Sequence, residues 1–112
     1  MASSNKRTYS RYSIDAVKLL GQMIQLHRKQ RKMTLQDLAD RAGISRTTLS
    51  KIEAGHMGSE IGLFFEVASL VGVTLFNANR AELTSLRESI ADKLALLPKH
   101  TRTSQEDVDD DF

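Results

Sequence analysis

Four polar side chains lie close together in the stretch from Ile44 to Gly55, whose pattern predicts a short helix. The side chains that share one face of this helix are Arg46, Thr47, Ser50 and Lys51. The opposite face carries Leu49 and Ile52, which fit a protein core. A guanidinium, hydroxyls and an ammonium donate hydrogen bonds and attract anions. This chemistry suits the base edges and phosphates of a DNA groove.

The residue types for covalent or metal chemistry are missing or scattered. The chain has no cysteine, which excludes a disulfide framework, a thiolate zinc site and a thiol nucleophile. His27, His56 and His100 are far apart and lack acidic or histidine partners at ligand spacing. We therefore expect no catalytic residue, no metal and no cofactor. His27 is expected to pack on a helix, and His56 to approach a phosphate or to face water.

Helix signals surround the polar stretch. Thr34 with Asp37 predicts a capping box that begins a helix over about Leu35–Ala42. Gly43 supplies the positive φ that ends this helix, and Ser45 caps the next one, over about Arg46–Glu53. Ala39 and Gly43 are small residues four positions apart, which predicts that the two helices cross closely. Together these signals predict a helix-turn-helix unit.

Apolar periodicity predicts three further helices. The first begins after Ser13 as N-cap and ends in the basic run Arg28, Lys29, Arg31 and Lys32, which compensates the helix dipole, contacts phosphate, or does both. A nearly all-apolar fourth helix starts at Ser59–Glu60 and ends at Gly72. A last helix runs from about Arg80 to Leu97, where Pro98 stops it. The protein should therefore be all-α.

Charge is unevenly distributed along the 112 residues. The net charge is +2, but residues 104–112 contain five acids and no base, so residues 1–103 carry about +7. The basic segment Met1–Tyr12 is read as a flexible arm that contacts DNA or is merely solvated. The acidic tail is solvated by default; alternatively it binds a basic partner or competes with DNA, with Phe112 as an apolar anchor.

The residues above resemble the lambda-repressor, or Cro/C1-type (XRE), helix-turn-helix family. The matching stretches are Leu20–Gly21, Met33–Thr34, Leu38–Ser45, Thr48–Gly55 and Leu70–Val73. The resemblance implies a five-helix lambda-repressor-like fold and a dimer that binds double-stranded operator DNA. Two positions depart from the family: Leu35 replaces a frequent Gln, and Glu60 stands near the usual leading proline of the fourth helix.

The resemblance also implies residue roles. Base readers at the start of the recognition helix and one turn on would be Arg46, Thr47, Ser50 and Lys51, with Arg46 the leading candidate because a guanidinium pairs with guanine O6 and N7. For Lys51 we favour the role of a phosphate clamp. Phosphate contacts are expected from Thr34, Gln36, Ser45, Arg31, Lys32 and His56.

A second resemblance concerns the C-terminal half. Gly62–Ala68, Leu75–Phe76, Arg80 and Leu94–Pro98 look like the HipB-like regulators encoded beside HipA-type kinase toxins. Such proteins repress their own operon and bind the toxin. The expected interface residues, for a second copy or for the toxin, are Phe64, Phe65, Leu83, Leu86, Ile90 and Leu94. The last helix either folds back on its domain or shares in the dimer seam.

These expectations divide the chain into a basic arm (1–12), a helix-turn-helix domain (13–79), an amphipathic helix (80–98) and an acidic tail (99–112). No segment has the length of a membrane span, so we expect a soluble protein of the cytoplasm, associated with the nucleoid through DNA. The predicted function is a sequence-specific repressor, in the HipB-like case an autoregulating antitoxin. The alternative is an interaction module that binds a toxin through its apolar C-terminal helices, with no sequence-specific DNA binding.

Overall fold

A computed structural model describes residues 7–100 of the chain. The helices are α1 (Arg11–Gln30), α2 (Leu35–Ala42), α3 (Arg46–Glu53), α4 (Ile61–Leu70) and α5 (Arg80–Ala95), with a 3₁₀ turn at Leu75–Asn77. Within the described range there are no strands, which confirms the all-α prediction. The chain divides into two units between Leu75 and Phe76. Residues 101–112, which include the acidic stretch from residue 104, lie outside the described residues, as do residues 1–6 of the basic arm.

The first unit is held together by aliphatic side chains from α1 to α4. The fully buried ones with the largest volumes are Ile24, Leu38, Leu49, Ile52, Val67 and Val71. They belong to one core cluster, to which every one of the four helices contributes. Because α2 and α3 are only eight residues long each, this shared burial, rather than intrinsic helix propensity, keeps them folded.

The helix-turn-helix signals in the sequence are confirmed. Thr34 and Asp37 form the capping box of α2, with each side chain accepting from the other residue's backbone N–H. Gly43 lies in the left-handed region with φ of 70°, and the Ser45 side chain accepts from the backbone N–H of Thr48 at the start of α3. The capping box therefore fixes the start of α2, while Gly43 and Ser45 set the two ends of the turn that links α2 to α3.

The start of α1 differs from the prediction. Ser10 is the N-cap, because its hydroxyl accepts from the backbone N–H of Ser13, and the helix begins at Arg11. The predicted cap, Ser13, lies inside the first turn. Two hydroxyl residues three positions apart are both acceptable caps by sequence, and the apolar pattern that begins at Ile14 does not distinguish them.

The second unit is built around α5. Asn79 and Glu82 form a capping box at its start, which the sequence analysis did not predict, and the helix ends at Ala95 rather than at Leu97. The preceding turn contains Phe76 and Asn77 with φ of 55° and 53°. Two consecutive non-glycine residues therefore lie in the left-handed region, which such residues rarely adopt.

Candidate DNA-binding interface

The face of α3 that the sequence analysis singled out is exposed. Arg46, Thr47, Ser50 and Lys51 are all exposed, whereas Leu49 and Ile52 are fully buried on the other side of the same helix. Arg46 and Lys51 take part in no ion pair within residues 7–100. The helix therefore presents two cations and two hydroxyls to solvent, on a backbone fixed by the core.

Two predicted phosphate contacts lie at helix N-termini. The Thr34 backbone N–H donates to Asp37 Oδ2 at 2.9 Å, and its hydroxyl accepts from the Asp37 N–H at 3.0 Å. The Ser45 hydroxyl donates to Thr48 Oγ1 at 2.9 Å. Both side chains are exposed but already bonded within their caps. The backbone bond from Thr34 is the main cause that lowers the pKa of Asp37, so this carboxylate keeps its negative charge beside the N-terminus of α2.

The other predicted phosphate contacts are exposed and lie in different places. Gln36 donates to Asp40 Oδ1 at 2.7 Å along α2. Arg31 lies over Gly72, where the guanidinium occupies the space that a Cβ at Gly72 would need. Lys32 follows α1 with φ of 58°. His56 accepts from the Gly58 backbone N–H through Nδ1 at 3.1 Å, which leaves Nε2–H as a donor to solvent.

The basic run at the end of α1 contains one residue with a different role. Arg28 is only 7% exposed, and its guanidinium meets the carboxylate of Glu53, with Nε to Oε2 at 2.7 Å and Nη2 to Oε1 at 2.9 Å. Its Nη1 donates to the Met33 carbonyl at 2.9 Å. The reading of Arg28 as a phosphate contact is therefore wrong. The sequence placed it in a cationic run and gave no sign of its distant acidic partner.

The ion pair links the end of α3 to two neighbouring segments. Glu53 is the last residue of α3, Arg28 lies in the last turn of α1, and Met33 precedes the cap of α2. A bidentate guanidinium therefore ties three segments together near the proposed DNA face. The hydrogen bonding that Arg28 donates to the Glu53 carboxylate is the main cause that raises the pKa of Arg28, so this guanidinium keeps its positive charge.

The His27 ring Nδ1 lies 3.2 Å from the Val71 carbonyl, so the side chain packs between α1 and the end of α4, as expected for a structural histidine.

Phe64 is 4% exposed and belongs to the core, so its prediction as an interface residue is wrong. Phe65 is half-buried and packs against the same core. In a helix that is apolar on nearly all sides, spacing alone did not identify which phenylalanine faces inward.

The α5 stripe is exposed. Leu86, Ile90 and Leu94 are each at least half exposed and, with the less exposed Leu83, line one shallow groove.

Within residues 7–100 no helix is long and apolar enough to cross a membrane. The same range contains no cluster of three or more histidine, cysteine, aspartate or glutamate side chains placed to hold a metal ion.

Two short helices joined by a left-handed glycine, with a polar exposed face on the second, define a helix-turn-helix domain. Residues 24–76 match the protein-family model described as Helix-turn-helix, so the chain carries an XRE-type helix-turn-helix domain over that range. With five helices and no strands in the described part, it has a lambda-repressor-like all-α fold. The domain is that of a DNA-binding regulator. No curated protein matches the chain.

Proposed function

We propose that the chain is a sequence-specific transcriptional repressor that binds double-stranded operator DNA as a homodimer in the cytoplasm. The observation that carries this proposal is the exposed polar face of α3, which Leu49 and Ile52 anchor in the core and the Arg28–Glu53 pair fixes at its end. Arg46 and Thr47 stand in the first turn of α3, which is the part of a recognition helix that enters the major groove. Repression then follows from occupancy, with no chemical step.

Each cation on this face has a distinct proposed role. Arg46 reads a guanine through O6 and N7, because a guanidinium donates two parallel hydrogen bonds. Lys51, one turn on, neutralises a phosphate and supplies affinity without base preference. The further phosphate contacts that we propose are Thr34, Ser45, Gln36, Lys32 and His56. Arg31 reaches the DNA backbone only if its guanidinium leaves Gly72.

Selection from a randomised duplex library, followed by titration at several salt concentrations, tests the proposal. The selected site should bind the full chain with a log affinity that falls steeply with log salt. Arg46→Ala should cost about 1–3 kcal/mol and relax the preference at one base position. Lys51→Ala should weaken all sequences alike and reduce the salt slope by about 1.

Lys93→Ala is the matched control, because Lys93 is also an exposed cation but lies on α5. It should leave both the affinity and the selected sequence unchanged. A library that yields no enriched sequence, with wild-type and Arg46→Ala binding equally, would support the interaction-module alternative and remove the repressor function.

We further propose a protein partner for the apolar stripe of α5. Leu86, Ile90 and Leu94 expose enough apolar surface to favour burial against another helix. Through its likeness to HipB-like regulators, the chain is proposed to be the antitoxin of a HipA-type kinase toxin. Co-expression with such a kinase from the neighbouring gene should give a stable complex, and Ile90→Glu should abolish the complex but leave DNA binding intact.

A further inference from the structure

The outer face of α1 carries an apolar stripe that the proposed DNA face does not use and of which one member, Met23, also packs partly against the core. Its members, spaced four, three, four and three residues apart, are Tyr12, Ala16, Leu19, Met23 and Leu26. At about 100° per residue they fall within about 80° of the helix circumference and extend over about 21 Å. Tyr12 is 85% exposed, Leu19 57% and Leu26 54%. The core side of α1, with Gly21, Ile24 and Arg28, faces away from this stripe.

A line of polar residues runs along one edge of the stripe. Asp15, Gln22 and Lys29 are spaced seven residues apart, so they lie on nearly one side of α1, next to Leu19 and Leu26. All three are exposed. Neither Asp15 nor Lys29 forms an ion pair within residues 7–100. The line has an acid at one end, a neutral amide in the middle and a base at the other end. Two copies of it that run in opposite directions therefore place each acid opposite a base.

We propose that the α1 stripe is an interface with the α1 stripe of a second copy of this chain, packed antiparallel. With Leu19 opposite Met23 of the second copy, Ala16 lies opposite Leu26 and the apolar layers close on both sides of the twofold axis. The polar edge then places Asp15 opposite Lys29 of the second copy, and Gln22 opposite its own equivalent. A parallel arrangement offers no such match, because the opposite edge of the stripe, with Leu20 and His27, turns towards the core.

This interface concerns copies of the chain alone and does not depend on DNA binding. It assigns the pairing of copies to α1 and leaves the α5 stripe for a different protein. Charge complementarity is what identifies the occupant, since an unrelated partner helix has no reason to repeat the order acid, amide, base in reverse.

Cross-linking at the twofold axis tests the geometry. Because the natural chain has no cysteine, Gln22→Cys in the full chain introduces a single thiol, which a short bismaleimide should join to its equivalent at micromolar protein. Lys18→Cys is the matched control: it is exposed on the same helix, but by the two pairings above its equivalents lie six to eight residues of helix rise, about 9–12 Å, apart along the axis. We expect efficient dimer cross-linking at position 22 and little at position 18.

A charge-swap experiment tests the ion pairs. Asp15→Lys and Lys29→Asp each place like charges opposite one another, so each should weaken self-association about threefold to tenfold at low salt. Combining both substitutions in one chain should restore it. Mixing the two single variants should give heterodimers in preference to either homodimer, because every facing pair is then of opposite charge.

Sedimentation velocity and far-UV circular dichroism measure association and folding for each variant. Equal cross-linking at positions 18 and 22, or charge variants that associate as the wild type does, would overturn the proposal. So would a monomeric wild type, or a dimer that only Ile90→Glu disrupts. A monomeric wild type would also remove the homodimer from the proposed function, whereas none of these results bears on whether Arg46 reads DNA.

Discussion

Gly21 of α1 lies directly against the backbone of Ile52 in α3, so closely that a Cβ at Gly21 would come within 2.6 Å of the Ile52 carbonyl oxygen and 2.7 Å of that of Glu53. The absence of a side chain is what lets α1 cross the end of the recognition helix at this distance. At the same crossing, Gly55 with φ of 76° lies against Lys18. The orientation of α3 therefore depends on two glycines that contribute no apolar surface themselves.

Gly21→Ala should destabilise the fold. An added methyl would overlap backbone atoms, which have less freedom to move than the end of a side chain, and we expect a loss of about 2–3 kcal/mol in the free energy of unfolding. Gly62→Ala is the control, since Gly62 lies in α4 with open space around it. That variant should gain about 0.5–1 kcal/mol from helix propensity. Urea unfolding followed by circular dichroism measures both. Equal effects at the two glycines would contradict the close crossing.

The features that the sequence predicted well are local ones. The Thr34–Asp37 capping box, the left-handed Gly43 and the Ser45 cap each involve residues within a few positions of one another. Their hydrogen bonds are determined by residue type and spacing, so α2 and α3 were predicted with the bounds that the structure shows. The exposure of Arg46 also follows locally, because Leu49 and Ile52 fix the opposite face.

The features that were missed depend on contacts between distant segments. Arg28 and Glu53 are 25 residues apart, and nothing in a run of four bases marks one of them for the core. The choice between Phe64 and Phe65 has the same origin, because a helix that is apolar on most sides has no polar face to set its rotation. The outer stripe of α1 was overlooked because its members share their spacing with the buried face.

Removing either partner of the Arg28–Glu53 pair alone should destabilise the fold. Glu53→Leu leaves a buried guanidinium without a counter-charge, and we expect a loss of about 3–5 kcal/mol in the free energy of unfolding. Arg28→Met leaves the carboxylate in the same situation. The double variant Arg28→Met with Glu53→Leu should lose less than either single one, since no buried charge remains. A double-mutant cycle from urea unfolding measures the coupling, and additive losses would show that the pair contributes nothing as a unit.

Lys32 occupies a position where the other helices of the first unit use glycine. The helices α2, α3 and α4 each end with a left-handed glycine, at Gly43, Gly55 and Gly72. After α1 the left-handed residue is Lys32, whose N–H donates to the Lys29 carbonyl while Met33 N–H donates to that of Arg28. This is the hydrogen-bond pattern of a Schellman motif. Its left-handed position usually holds glycine, because a side chain at that position adds a steric cost.

Lys32→Gly should therefore stabilise the fold by about 0.5–1 kcal/mol, because glycine adopts positive φ without steric cost. If Lys32 contacts phosphate, the same change should weaken DNA binding and reduce its salt slope by about 1. Lys32→Asn separates the two effects: it removes the charge equally but relieves less strain. Thermal unfolding and salt-dependent titration are the measurements. A Lys32→Gly variant with unchanged DNA affinity would remove Lys32 from the proposed contacts.

The cap of α2 should make a pH-dependent contribution to stability through Asp37. Its pKa is lowered from the usual 3.8, chiefly by the hydrogen bond from the Thr34 backbone N–H and then by that from the Thr34 side chain, so the ionised form is favoured in the folded state. A carboxyl whose folded pKa lies below its unfolded value stabilises the fold at pH values above the unfolded pKa, and this stabilisation is lost as the pH falls through the folded pKa.

Wild type should therefore be more stable than Asp37→Ala by a constant amount from neutral pH down to about pH 5, and the difference should shrink on further acidification. Urea unfolding at a series of pH values measures this. A difference that stays constant from pH 7 to pH 2 would show that the Asp37 charge has no part in the cap.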